Sequence, residues 1–260
     1  CTTGFDVSSC GFTDAFSVAA QETVPEGLAF NTDGTKMFVV GSIGDEVNEY
    51  ACTTGFDVSS CGFTDAFSVA AQETVPEGLA FNTDGTKMFV VGSIGDDVNE
   101  YACTAFDVST CGFIDAFSVA AQETVPQGLA FNTDGTKMFV LGSIGDDVNE
   151  YACDAFDVST CGFIDAFSVS AQETSPQGLA FNTDGTKMFI TGSSGDDVNE
   201  YTLSVGFDLN VPVTETTTTS SDCYDCKPPV LQSSHITILT NDYVMATGDS
   251  PLHITANVGD

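Results

Sequence analysis

Gly27 to Cys52, GLAFNTDGTKMFVVGSIGDEVNEYAC, returns almost letter for letter from Gly78, Gly128 and Gly178, and its reading decides the fold. GLAFN is a short apolar run, and the Asp33-Gly34 pair after it supplies the positive φ that a tight hairpin requires. KMFVVGS, Lys36 to Ser42, is apolar without polar alternation, the mark of a strand covered on both faces. A glycine-rich turn, Gly41 to Asp45, leads into EVNEYAC, where Val47, Glu49 and Ala51 alternate with Glu46, Asn48 and Tyr50. Upstream, GFTDAFSV (Gly11 to Val18) reads as a further, outer strand, joined to GLAFN by the turn-like AQETVPE. No helix is expected in this unit, which is an antiparallel four-stranded meander.

Cys1, Cys52, Cys103 and Cys153 open successive copies. A period of about 50 residues is too long for one coil of a β-helix and suits a four-stranded propeller blade. PEGLAFNTDGTKMFVVG, repeated at Pro76 to Gly92, Pro126 to Gly142 and Pro176 to Gly192, resembles the blade motif of the broad YVTN and NHL-like group of β-propellers. The resemblance covers residues 1–203 and implies that the Asp-Gly turn joins the first two strands of a blade. It is specific for fold and carries little about function, because such propellers include enzymes, receptors and scaffolds. Repeats rich in FNTDGTKMF and DDVNEY are also similar to those of surface and phage-associated proteins. The expected architecture is all-β: a four-bladed β-propeller of disulfide-stapled blades over 1–208, a Thr/Ser-rich linker over 209–222, and a small β-strand segment over 223–260.

The strand order sets how the ring closes. The chain starts on an outer strand and ends its fourth copy on the strand that precedes one. Pairing Gly11 to Val18 with Val198 to Leu203 closes a four-bladed ring and removes both exposed edges. In the alternative, the unpaired strands meet across molecules, and the chain is a segment of a larger ring or a fibre.

Composition narrows the function classes. Five Lys and no Arg stand against 38 acidic residues, for a formal net charge of −33. Phosphate neutralisation needs clustered cations, so nucleic-acid binding is excluded, as is docking on anionic lipid through a basic patch. A hydrophobic content of 42% with 21 Phe supplies enough apolar area to fold. No apolar run approaches 20 residues, so membrane insertion is not expected. Without an initiator Met or a signal peptide, the sequence reads as a mature or trimmed chain.

Ten cysteines at recurring positions are staples in an oxidising compartment, which places the protein outside the cell or at the cell surface. Cys52 ends a strand and Cys61 begins the one that pairs with it; Cys103 with Cys111 and Cys153 with Cys161 repeat the relation. A hairpin mouth brings such pairs within bridging distance, and each closed loop contributes roughly 2 to 3 kcal/mol. Cys1 with Cys10 completes four local disulfides, and Cys223 with Cys226 forms a small loop of its own. Zinc fits poorly, since the spacers are long and no His stands nearby. Equivalence to Cys52 favours a disulfide at Cys1 over a lipidated N-terminal cysteine.

Asp45-Glu46, Asp96-Asp97, Asp146-Asp147 and Asp196-Asp197 occupy corresponding turns, and a ring of them would attract Ca2+; the plainer reading is solvated turn residues. Asp33, Asp84, Asp134 and Asp184 belong to their hairpins. Lys36, Lys87, Lys137 and Lys187 are expected to pair with carboxylates at the surface. Catalysis finds little support: His235 and His253 lie outside the repeats, no Arg exists to clamp an anion, and near-identical copies offer no asymmetry for acid and base roles.

The tail shows three short strand signals, HITIL (235–239), YVMAT (243–247) and LHITANV (252–258), too few residues for a core of their own. They must pack on the propeller or complete a sheet on another subunit. A stapled acidic β domain joined to an incomplete β segment points to a non-enzymatic extracellular structural or adhesive protein, a filament subunit assembled by strand complementation. The alternatives are a propeller module that recognises a glycan or cell-surface receptor, and a metal-dependent lactonase or hydrolase.

Overall fold

Each hairpin forms where the sequence places it. In the first, the Asp33 carboxylate accepts both the backbone N–H of Thr35, at 3.0 Å, and its hydroxyl, at 2.5 Å. Gly34 takes φ +72, and a Cβ there would lie 2.4 Å from the Phe56 ring, so chain direction and packing both demand glycine. The turn joins β1 (Pro25–Phe30) to β2 (Lys36–Gly41), with Leu28 opposite Val39 and Ala29 opposite Phe38. β3 (Glu46–Cys52) and β4 (Cys61–Ser68) extend the sheet antiparallel, in the order β1-β2-β3-β4.

The structure, a computed structural model, describes residues 1–209. The meander recurs as β5 (Pro76–Phe81), β6 (Lys87–Gly92), β7 (Asp97–Thr104) and β8 (Asp107–Ser118), and again as β9 (Pro126–Phe131), β10 (Lys137–Gly142), β11 (Asp147–Asp154) and β12 (Asp157–Ser168). Among the described residues the fourth sheet has three strands, β13 (Pro176–Phe181), β14 (Lys187–Gly192) and β15 (Val198–Thr202). The innermost strands β1, β5, β9 and β13 pack in succession around a central cavity, which makes the domain a four-bladed β-propeller. Two single-turn 3-10 segments, Val7–Ser9 and Val58–Ser60, are its helical content among the described residues, each capped by the preceding Asp. The described residues fall within one compact unit. Cys223, Cys226 and the three tail strands expected from the sequence lie outside the described residues.

The core sits between blades. Phe38, Val40 and Val47 of the first blade meet Leu79, Met88, Val90 and Tyr101 of the second, with Val69 and Val108 closing the cluster. The same positions build the next two interfaces. Each large apolar side chain buried this way contributes about 1.5 to 3 kcal/mol, so the blade interfaces, rather than the individual sheets, hold the domain together. β2, β6 and β10 are covered on both faces, as their unbroken apolar sequence requires.

Two expectations need correction. β3 does not alternate: Val47, Asn48, Glu49 and Tyr50 are all buried, because the second blade covers one face of the strand and Phe16 of the N-terminal stretch packs on Tyr50 at the other. The expected ring closure also fails. Residues 11–18 form no strand, and among the described residues β15 pairs with β14 alone, so Gly11 to Val18 does not ladder with Val198 to Leu203. The N-terminal stretch instead bridges the seam by packing. Phe5 stacks on Phe189 of the fourth blade at 6.4 Å between ring centroids, and Phe16 meets Tyr50 of the first blade edge-on at 5.6 Å.

Candidate functional site

The acidic residues that the repeat buries are the chemistry of this protein. Lys36 Nζ contacts Glu49 Oε1 at 2.8 Å and donates to the carbonyl of Phe106, in the next blade, at 2.7 Å. The other Glu49 oxygen accepts the N–H of Val108 at 3.1 Å. Lys87 with Glu100, and Lys137 with Glu150, repeat this clamp against Phe156 and Val158, and against Phe207 and Leu209. These pairs were expected at the surface; the structure buries their acidic half, with 2% to 7% of the glutamate side chain exposed. In the fourth blade Lys187 pairs with Glu200 and donates to Phe5, and Glu200 is 26% exposed.

A second buried carboxylate per blade went unrecognised in the sequence, where AQETVPE reads as a polar turn. Glu22, Glu73, Glu123 and Glu173 are at most 1% exposed. Glu73 accepts the N–H of Val75 at 2.7 Å and that of Gly95 at 3.2 Å, tying the segment before β5 to the turn after β6. Gly92 makes room for it, since a Cβ there would stand 2.5 Å from the Glu73 carboxyl carbon. At Glu173 burial works to raise the pKa, yet N–H donors from Gly195, Ser175 and Ser194 outweigh it and hold the group below the ordinary carboxylate range. The available signal was the invariance of Glu-Thr-x-Pro against a glycine that recurs at Gly41, Gly92, Gly142 and Gly192.

The central cavity, of about 370 Å3, is lined by the inner strands of all four blades. The second residue of each strand lines it: Glu26, Glu77, Gln127 and Gln177. Burial pushes the Glu77 carboxyl above its ordinary value, Ser93 opposes this by a hydrogen bond, and the charge of Glu26 adds to the rise. Burial, followed by the charge of Glu22, raises Glu26 likewise. Two blades thus bring carboxylates with raised pKa values to the cavity, and two bring neutral amides.

The structure places the remaining sequence candidates plainly. Cys1–Cys10, Cys52–Cys61, Cys103–Cys111 and Cys153–Cys161 are disulfides. Such bonds suit an oxidising, non-cytoplasmic environment. Among the described residues, no helix is long and apolar enough to cross a membrane. Asp45, Asp96, Asp146 and Asp196 take left-handed backbone conformations at the turns before β3, β7, β11 and β15. The first three offer their carbonyls to Val69, Val119 and Val169. Asp97 and Asp147 begin strands, and Asp197 precedes β15. Among the described residues, no three His, Cys, Asp or Glu side chains gather as metal ligands.

Solved structures offer the comparison. A protein of unknown function from Desulfotomaculum acetoxidans superposes with a TM-score of 0.51 at 18% identity, over 71% of this chain and 56% of its own. A Lactobacillus plantarum protein gives 0.51 at 15%, over 69% and 51%. A candidate 6-phosphogluconolactonase from Bacteroides uniformis gives 0.50 at 13%, over 72% and 53%. The likeness is one of fold. The chain spans about half the length of each of these structures. No protein-family model matches the chain, and no curated protein does.

Proposed function

We propose that this is a non-enzymatic extracellular structural or adhesive protein, a subunit of a surface fibre or filament assembled by β-strand complementation. One observation carries the reading. Among the described residues the fourth blade has no outer strand, while Gly11 to Val18, identical in sequence to residues 62–69 at β4, forms no strand. An unpaired edge beside an unpaired strand is the requirement for β-augmentation between chains. The disulfide in each repeat supports a role outside the cell, and the YVTN and NHL-like character of the blade motif is consistent with a rigid scaffold. The strong acidity keeps such subunits apart except where specific contacts outweigh repulsion.

Negative-stain electron microscopy and sedimentation of the purified chain test this. Filaments or a concentration-dependent mass support it, and a strict monomer at every concentration refutes it. The central cavity favours a second reading, a module that recognises a glycan or a cell-surface receptor, which glycan-array binding by a monodisperse protein would establish. Turnover of lactones, with or without added divalent metal, would overturn the non-enzymatic assignment.

A further inference from the structure

The three blade interfaces within the chain share one recipe. In the first, Phe38, Val40 and Val47 of one blade and Val69 of its outer strand meet Leu79, Met88, Val90, Tyr101 and Val108 of the next. On the other face of the first blade half of this set is, among the described residues, covered by no blade: Met37 and Val39, 4% exposed, pack against Phe16 and Val18 of the N-terminal stretch. Val18, Leu28, Met37, Val39 and Val58, the counterparts of Val69, Leu79, Met88, Val90 and Val108, line a cavity of about 270 Å3. Leu28 is 60% exposed, whereas Leu79 and Leu129 are 6% exposed. Only the Phe-Val-Val trio is missing.

The fourth blade carries that trio as Phe189, Thr191 and Val198, which line the central cavity across from Leu28, with Phe5 stacked on Phe189. Val198 is 49% exposed, against 0% for Val47, Val98 and Val148. Among the described residues the same blade has no outer strand, and residues 11–18 are already seated against the first blade through Phe16 and Tyr50. Their register follows from β3 on β4, where Glu46 faces Ser68, Val47 faces Phe67 and Tyr50 faces Phe63. Transferred to β15, it sets Asp197 opposite Ser17, Val198 opposite Phe16 and Tyr201 opposite Phe12. Phe12, 87% exposed, is covered by this pairing.

Resting on the assembly reading above, we propose that the fourth blade of a second copy docks on the first blade, taking Gly11 to Ser17 as its outer strand and filling the 270 Å3 cavity with Phe189, Thr191 and Val198. The occupant is another copy because the contact continues, position by position, the three interfaces the chain already makes. Thr191 in place of Val40, Val91 or Leu141 makes this fourth interface more polar, hence weaker and reversible.

The Cys1–Cys10 hairpin regulates it. In the chain's own interfaces Lys36, Lys87 and Lys137 donate to Phe106, Phe156 and Phe207 of the following blade. Lys187 donates instead to Phe5, whose ring stacks on Phe189 as Phe106 stacks on Phe38. The hairpin thereby occupies the place of an incoming blade, whose Phe56 carbonyl and Val58 N–H would otherwise take Lys187 and Glu200. Self-contact and assembly compete for one surface.

Full-length Ser17→Cys and Asp197→Cys, both surface substitutions, are mixed under mild oxidation and analysed alongside sedimentation. A cross-linked dimer from the mixture, absent when Ile43→Cys replaces Ser17→Cys, is the expected result. Phe5→Ala should raise its yield by about threefold to tenfold by removing one aromatic contact from the competing state. Assemblies without the Ser17–Asp197 cross-link overturn this interface and leave the assembly reading standing. A Ser17→Cys/Asp197→Cys double variant that cross-links as a monomer also overturns it, because closure is then within one chain. A protein that stays monomeric, Phe5→Ala included, overturns both.

Discussion

Lys87 and Glu100 form an ion pair at 2.7 Å whose acidic partner is 3% exposed and whose basic partner also holds the Phe156 carbonyl of the next blade. The pair is a joint between blades as much as a bond within one. Glu100→Ala leaves a partly exposed Lys87 without its counter-charge and a buried Val158 N–H without an acceptor, so it should cost about 2 kcal/mol. Glu200→Ala, at the solvent-open seam, should cost under about 1 kcal/mol. Denaturant unfolding of the two variants side by side checks the contrast, and equal losses would mean that the clamps do not depend on the neighbouring blade.

Glu123 makes the corresponding point about loops. It accepts Val125 N–H at 2.7 Å and Gly145 N–H at 3.3 Å, and Gly142 leaves it space. Glu123→Ala should cost roughly 2 to 3 kcal/mol, since two backbone donors lose a charged acceptor. Gly142→Ala should destabilise comparably without touching a hydrogen-bonding group, because its Cβ would lie 2.0 Å from the carboxyl carbon. Thermal melts of both variants test whether the glycine and the glutamate act as a unit: the double variant should lose less than the two single losses together.

Much of this fold is legible in residues that act locally. Asp33-Gly34 announces a hairpin, Lys36 to Val40 announce a doubly covered strand, and Cys52 with Cys61 announce a staple, because each partner lies within a few residues. Glu49 misleads because what makes its burial tolerable, Val108 N–H, sits 59 residues away on another blade. Glu22 hides in a polar turn for the same reason, its partner Gly44 being 22 residues on. Gly11 to Val18 carries the sequence of a strand, yet a strand exists only with a partner, and the neighbour of β4, which is β3, has no counterpart beside it.

The cavity carboxylates give a pH prediction. Glu77 has a folded-state pKa raised above its ordinary 4.5, chiefly by burial. The folded state therefore holds the proton more tightly, and its contribution to stability is full below pH 4.5 and lost as pH rises through the folded value. Glu77→Gln removes that loss and should raise the melting temperature at pH 7, with the gain fading at pH 4. Gln127→Glu should do the reverse. The hairpin aspartates run oppositely: hydrogen bonds from Thr35 and its counterparts lower Asp33, Asp84, Asp134 and Asp184. Their contribution is present above the ordinary value of 3.8 and disappears as pH falls through the folded one, equally in both variants. Melting curves from pH 3 to 7 separate the two trends.

The disulfides should differ in consequence although they resemble one another in sequence. Cys103–Cys111 and Cys153–Cys161 close hairpins whose strands β7–β8 and β11–β12 are already laddered, so each acts mainly on the unfolded chain. Replacing Cys103 and Cys111 by Ser should cost roughly 2 to 3 kcal/mol and leave the native sheet intact. Cys1–Cys10 closes a loop with no ladder around it, residues 11–18 forming no strand. Its removal should scarcely move the unfolding midpoint, because what it orders is the hairpin that seats Phe5 on Phe189 rather than a blade. Hydrogen exchange distinguishes the cases. Loss of Cys103–Cys111 should lower protection throughout the domain, while loss of Cys1–Cys10 should lower it at residues 1–10 and along β14 and β15 alone.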